Sequence, residues 1–171
     1  MIGDFFHKIN KIFFYFRYNF KRYLRLFFRI DQKIYIKNKK IILPPGHLLS
    51  LYQSIYPKYD KFLPKVISNI KDDESIIDIG ANIGDTLFRL INKNAKPYYY
   101  CIEADNFFFD YLQKNKKLLD LNLQKKVTLI KELVGDQLKG NLSEKTTGTK
   151  SLIQSDFGIK SKKLDDIIIS F

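Results

Sequence analysis

A chain of 171 residues, 45% hydrophobic and 28% charged, is long enough for one domain with a packed core and too apolar for wholesale disorder. One cysteine and two histidines exclude an intrachain disulfide framework and a Cys- or His-rich metal centre, and they suit a reducing cytoplasm. The formal charge of +12 sits mostly in residues 1–40, which hold 11 Lys/Arg against Asp4 and Asp31, so the remainder is only mildly basic.

The first predicted element is a basic amphipathic helix over residues 1–30, which carry eleven of the 26 Phe and Tyr. On a helical wheel, Ile2, Phe5, Ile9, Ile12, Phe13, Phe16, Phe20, Tyr23 and Phe27 share one side. Lys8, Lys11, Arg17, Lys21, Arg22, Arg25 and Arg29 take the other side. Charges interrupt every potential spanning stretch, so the segment does not read as a transmembrane helix. Ile12–Phe16 is too short for a signal peptide, and no small-residue cleavage site follows. Such a helix suits an anionic membrane interface, or packing of its aromatic face on the body of the chain or on a partner. Its polar face shows no base-reading module, so nucleic acid is not an expected partner.

Residues 31–74 read as a lead-in of hairpin and helices. Lys33–Lys37 and Lys40–Leu43 alternate in polarity about Asn38-Lys39 and predict a β-hairpin. Pro44-Pro45-Gly46 interrupts the chain, and His47–Tyr56 and Asp60–Ile70 predict two short helices broken at Pro57. Lys71–Glu74 is a polar loop.

From residue 75 the pattern changes. Ser75–Ile79, Tyr98–Ile102 and Val127–Lys131 predict strands, and Asp85–Asn92 and Asn106–Asp120 predict helices, with a connector at Asn94–Pro97. Strand–helix–strand–helix–strand spacing builds right-handed crossovers and a parallel sheet, so the fold class is α/β. Leu138–Ser155 reads as a loop with one strand at Ser151–Gln154, Gly158–Lys163 as a short strand, and Leu164–Phe171 as apolar.

Asp78-Ile79-Gly80-Ala81-Asn82-Ile83-Gly84-Asp85-Thr86 carries the most chemical information, because a strand turns into a helix there. Two glycines allow a sharp turn and close approach to a ligand, and the helix after it offers unpaired amide donors. Glu103 follows Gly80 by 23 residues, at the end of the next strand, where a carboxylate can accept from both hydroxyls of a ribose. Together they predict a nucleoside-type cofactor site at the carboxyl ends of parallel strands. A dinucleotide favours a third glycine and an apolar residue at position 78. A cationic cofactor without a pyrophosphate gains from a carboxylate there, so Asp78 favours S-adenosylmethionine over NAD. No Gly-Lys-Ser/Thr follows, which argues against nucleotide triphosphate hydrolysis. The expected cofactor-binding residues are Asp78, Gly80, Ala81, Asn82, Gly84 and Glu103.

The same residues carry a family resemblance. Asp78–Thr86 resembles the first motif of the FkbM-type S-adenosylmethionine-dependent methyltransferases, and Cys101-Ile102-Glu103-Ala104-Asp105 resembles their second strand. Leu43-Pro44-Pro45-Gly46-His47 and Tyr59-Asp60-Lys61-Phe62-Leu63-Pro64 are similar to the family's lead-in. Gly148-Thr149-Lys150-Ser151-Leu152 and Leu164-Asp165-Asp166-Ile167 are similar to its later landmarks. The resemblance covers roughly residues 40–169. It implies a Rossmann-like methyltransferase fold over residues 75–171, with the ribose on Glu103 and methylation of a hydroxyl on a sugar or small metabolite. In the family the Leu-Asp-Asp-Ile segment precedes further strands, so the resemblance implies an incomplete parallel sheet and a C-terminally truncated, poorly active chain. The alternative is a non-catalytic remnant that acts as a membrane-associated or partner-binding domain.

Methyl transfer to a hydroxyl asks for alignment and a base, and no residue declares itself as that base. His47 reads first as structural, Asp136 as a turn aspartate, Cys101 as core, and Asp165 and Asp166 as capping or solvent-facing. The expected partner is a small-molecule or sugar acceptor, with membrane contact through residues 1–30. The expected location is cytoplasmic, peripheral on the inner face of the membrane.

Overall fold

The chain begins with a 26-residue helix, α1 (Ile2–Phe27). The structure is a computed structural model that describes residues 2–56, 58, 62–71, 74–91, 97–136, 138–146 and 149–169, with residues 2–11, 66 and 144–146 described in backbone alone. A left-handed residue, Arg29 (φ 51°), ends α1. There the Ile30 amide donates to the Arg25 carbonyl at 2.9 Å and the Arg29 amide to the Leu26 carbonyl at 3.3 Å. This is a Schellman stop made without glycine.

α1 rests on the body by its polar edge. The Tyr18 hydroxyl donates to the His47 carbonyl at 3.4 Å, and Arg22 Nε donates to the Gly46 carbonyl at 3.0 Å. Leu26 fills the space above Gly46, where an added Cβ would come within 2.6 Å of its side chain. The aromatic edge stays outside, so it does not pack on the described part of the chain.

Strands β1 (Gln32–Ile36) and β2 (Lys39–Leu43) form the expected hairpin, closed by the pair Ile36↔Lys39. The turn is Lys37-Asn38, one residue earlier than the sequence suggested. Both residues have positive φ, 48° and 66°. A two-residue turn of this hand matches strand twist, and Asn tolerates it well. The Lys37 and Lys39 ammonium groups then donate to the carbonyls of Arg89 and Ile91, each at 2.8 Å. They cap the end of the helix beneath them.

Two short helices follow, α2 (Leu49–Ile55) and α3 (Leu63–Ile67). The second is a single turn, shorter than the Asp60–Ile70 expected, and residues 59–61 lie outside the described set. Parts of the expected loop at 71–74 and connector at 94–97 lie outside it as well.

Strands β3 (Ser75–Ile79), β4 (Tyr98–Ile102) and β5 (Val127–Ile130) make a parallel sheet in the order β3-β4-β5. The chain is thus mixed α/β with a parallel sheet, as predicted. Helix α4 (Asp85–Leu90) follows β3, and α5 (Asn106–Lys116) follows β4. The helix expected to reach Asp120 instead breaks after Lys116 into tight turns, with the amides of Leu118 and Leu119 donating three residues back to Asn115 and Lys116. A further turn, α6 (Leu121–Gln124), completes the connection.

The main core lies on one face of this sheet. Ile76, Tyr99, Cys101 and Val127 meet Leu87, Phe88 and Leu112 from the helices and Ile41 and Leu43 from the hairpin. On the other face Ile102 and Ile130 pack on Ile167 of α7 (Leu164–Ile169). On that face Ile77 and Ile79 stay exposed, and among the described residues β3 has β4 as its one strand neighbour.

Residues 138–155, expected to be mostly loop, form a sheet. β6 (Lys139–Thr146) pairs antiparallel with β7 (Thr149–Gln154) and with β8 (Ile159–Lys160). The segment is rich in Ser, Thr, Gly and Lys, a composition that reads as loop. Here the backbone ladder holds it, and Gly140 gives the close approach, since a Cβ there would sit 2.1 Å from the Ile153 carbonyl oxygen. Among the described residues no helix is long and apolar enough to cross a membrane, and no group of three or more His, Cys, Asp or Glu is placed to hold a metal ion.

Candidate functional site

The carboxyl ends of β3, β4 and β5 open into a cleft of about 300 Å³. Gly80 and Asn82 form one side, Glu103 and Ala104 the floor, and Glu132 the far end, while Leu142, Lys150 and Leu152 of the antiparallel sheet wall the other side. This is where open parallel sheets place ligands.

The turn after β3 takes its shape from three left-handed residues, Gly80 (φ 78°), Asn82 (φ 51°) and Gly84 (φ 89°). The amides of Gly80 and Ala81 both donate to the Ile102 carbonyl at 2.9 Å, which pins the turn to the end of β4. A Cβ on Gly80 would meet nothing within 4 Å, so the missing side chain leaves open space at the cleft. Gly84 faces inward instead, where a Cβ would come within 2.8 Å of Leu112 Cδ1.

Glu103 is 8% exposed and holds the turn from below. Its Oε2 accepts the Asn82 amide and its Oε1 accepts the Asp105 amide, each at 2.8 Å. The Ala104 backbone also stabilises the charged form, so part of the carboxylate's acceptor capacity remains. Burial raises its pKa above the ordinary carboxylate value, the backbone donors from Asp105 and Asn82 pull it back, and the neighbouring Asp105 charge adds to the rise. Asp105 caps α5 by accepting the Phe108 amide at 3.1 Å, and its Oδ2 pairs with the Lys150 ammonium at 2.6 Å. That ammonium also lies 5.7 Å from the centre of the Phe108 ring. The ion pair ties β7 to the cleft floor.

His47 reaches the same turn from the lead-in. Its Nδ1 accepts the Leu49 amide at 3.2 Å, so the proton of the neutral ring sits on Nε2, which faces Asn82 Oδ1 at 3.4 Å. Burial lowers its pKa to about 4 against the opposing effect of the Asn82 bond, so the ring is neutral at physiological pH. Asn82 Oδ1 also accepts the Ile83 amide at 2.9 Å. With both nitrogens engaged, His47 positions Asn82 in its left-handed conformation and is no candidate base.

Of the six residues expected to bind a cofactor, Gly80, Asn82 and Glu103 line the cleft. Asp78, Ala81 and Gly84 lie behind it. Asp78 sits opposite Cys101 in register, and its charge adds to burial in pushing that thiol up to about 12. Ala81 and Gly84 are buried and shape the turn. Asp136 is exposed, 3.6 Å from Lys163, and does not line the cleft. Asp165 and Asp166 occupy the exposed first turn of α7.

One structural residue of the site was missed in the sequence. Asn115 of α5 is fully buried, donates through Nδ2 to the carbonyls of Ile42 at 2.9 Å and Ile83 at 2.8 Å, and accepts the Ile42 amide at 2.7 Å. It joins the hairpin, the glycine turn and α5. A lone Asn among the apolar positions of a helix was the available clue.

No family model matches the chain, and no curated protein matches it. Among solved structures it is similar to the crystal structure of the SAM-dependent methyltransferase from Agrobacterium tumefaciens, at 10% identity and a TM-score of 0.43. The overlap covers 60% of this chain and 32% of that one, so the chain spans about a third of that protein's length.

Proposed function

We propose that the cleft holds S-adenosylmethionine and that the chain is a methyltransferase of the FkbM type. The observation that carries this reading is Glu103, a buried carboxylate at the carboxyl end of β4 that lines the cleft beside a glycine turn, with part of its acceptor capacity left. The donor set supports a cation over a polyanion. Glu103 and Glu132 line the cleft, the latter paired with Lys162, the Lys150 ammonium on the wall is neutralised by Asp105, and α4 begins with Asp85 in the first turn, where a pyrophosphate would otherwise seat.

Bound S-adenosylmethionine supplies an electrophilic methyl group on its sulfonium. The chain's own residues do the rest. Glu103 would accept from the ribose hydroxyls, Gly80 would let the cofactor approach the backbone, and Asn82 keeps the turn in shape under the hold of His47. Leu142 and Leu152 give the cleft an apolar wall, which Lys150 fastens to Asp105. The resemblance extends the reading to O-methylation, with a sugar or small-metabolite hydroxyl as acceptor. His47 does not take the acceptor's proton, because both ring nitrogens are engaged and its proton affinity is low.

Thermal unfolding with added ligand tests the reading. At about 100-fold excess over its dissociation constant, S-adenosylhomocysteine should add roughly 2.7 kcal/mol to stability and raise the melting temperature. NAD at the same concentration should leave it unchanged. A larger rise with NAD would overturn the assignment.

A further inference from the structure

The surface with the least explained chemistry is the outer edge of α1. Ile12, Phe13, Phe16, Phe20, Tyr23 and Phe27 lie along one edge of the helix and are 58–81% exposed. From Ile12 to Phe27 that edge runs about 22 Å at 1.5 Å per residue. A contiguous strip of large apolar side chains on a surface marks an interface. The helix cannot turn the strip inward without losing what holds its other edge: the Tyr18 and Arg22 hydrogen bonds and the Leu26 contact on Gly46.

Charge selects the occupant. Arg17 and Lys21 are exposed on the border of the strip, Arg29 is exposed just past its end, and residues 1–40 hold 11 Lys/Arg against two Asp. A second copy would bring the same positive charge against it. A coiled-coil seam would also ask for a narrow heptad stripe, whereas this edge is broad and mostly aromatic. Aromatic side chains below and cations at the border complement an acyl–headgroup boundary carrying negative charge. We infer that α1 docks flat on an anionic lipid bilayer, with Phe13, Phe16, Phe20 and Phe27 in the boundary layer and the folded body held above it through the Gly46–His47 turn.

Sedimentation of the full chain with vesicles tests this. One set is phosphatidylcholine, and the other contains about 30 mol % phosphatidylglycerol, each at low and high salt. Binding to the anionic set should exceed binding to the neutral set by at least about tenfold and fall as salt rises. Phe16→Ser with Phe20→Ser should weaken binding to anionic vesicles at least about tenfold. These side chains are exposed, so circular dichroism and thermal unfolding should match the parent. Arg17→Gln with Lys21→Gln should reduce the preference for anionic over neutral vesicles. Equal binding to both sets, or to neither, would overturn the inference. Light scattering that shows a dimer dissolved by the Phe16/Phe20 variant would overturn it in favour of a second copy, and retention of a soluble acidic protein without vesicle binding would overturn it in favour of a protein partner.

Discussion

Glu103→Ala isolates what the buried carboxylate does before any ligand arrives. The substitution removes two charge-assisted bonds of 2.8 Å and strands the amides of Asn82 and Asp105. Each such bond contributes about 1.5–3 kcal/mol. Part of that loss is returned, because ionising Glu103 in its buried site is itself unfavourable, as its raised pKa records. The balance is a destabilisation of roughly 2–4 kcal/mol. Glu103→Gln keeps one acceptor oxygen and sheds the charge, and should cost about 1–2 kcal/mol. Urea unfolding followed by circular dichroism measures both, through a lowered midpoint at an unchanged slope. An alanine variant within about 0.5 kcal/mol of the parent would refute the claim that Glu103 holds the turn. Affinity for S-adenosylhomocysteine, measured where the variant is still folded, should fall by more than about tenfold as a separate effect of the lost ribose acceptor.

The other expectations concern the supports of the turn. His47 has a folded pKa near 4, below the 6.5 of its unfolded form, so the unfolded chain takes up a proton that the folded chain refuses. Its contribution is complete above pH 6.5 and falls by roughly 3 kcal/mol as the pH drops to 4, so stability against pH should be flatter over that window in His47→Gln than in the parent. Glu103 acts in the opposite sense, since a raised pKa means stability lost as the pH climbs through it, and the parent-minus-variant difference therefore isolates His47. Gly84→Ala should cost about 2–4 kcal/mol in urea unfolding, from the left-handed backbone and from a Cβ 2.8 Å from Leu112 Cδ1. Asn115→Leu should cost roughly 2–4 kcal/mol by removing the partner of one buried and two part-buried backbone groups of Ile83 and Ile42, and an unchanged midpoint would refute its role as the joint.

The parallel sheet could be read from the sequence because its strands are unbroken apolar runs bounded by polar loops, and β3, β4 and β5 end within one residue of the expected places. The glycine turn was legible for the same local reason: only a few residue types take three left-handed angles in five positions. The antiparallel sheet was legible in part: β7 and β8 fall on the strands expected at Ser151–Gln154 and Gly158–Lys163, whereas Ser, Thr and Lys give β6 little apolar alternation and its order comes from backbone pairing across the chain. The wheel separated the two edges of α1 but could not say which one the body claims. That choice depends on Gly46, twenty residues beyond Leu26, where a bare backbone admits its side chain. His47, Lys150 and Asn115 join the site through partners 35, 45 and 32 residues away, a distance no local pattern encodes.

Titration calorimetry on the parent chain and on Gly80→Val measures the cofactor claim most directly. The cleft side of Gly80 is open for 4 Å around a would-be Cβ, so a valine there enters the space assigned to the ligand, and the strain it adds to a backbone at φ 78° is read separately by thermal unfolding of the variant. S-adenosylhomocysteine should bind the parent with one-to-one stoichiometry and more tightly than NAD, and Gly80→Val should abolish that binding in protein that remains folded. Tighter binding of NAD, or equal affinity of S-adenosylhomocysteine for the two chains, would contradict the account.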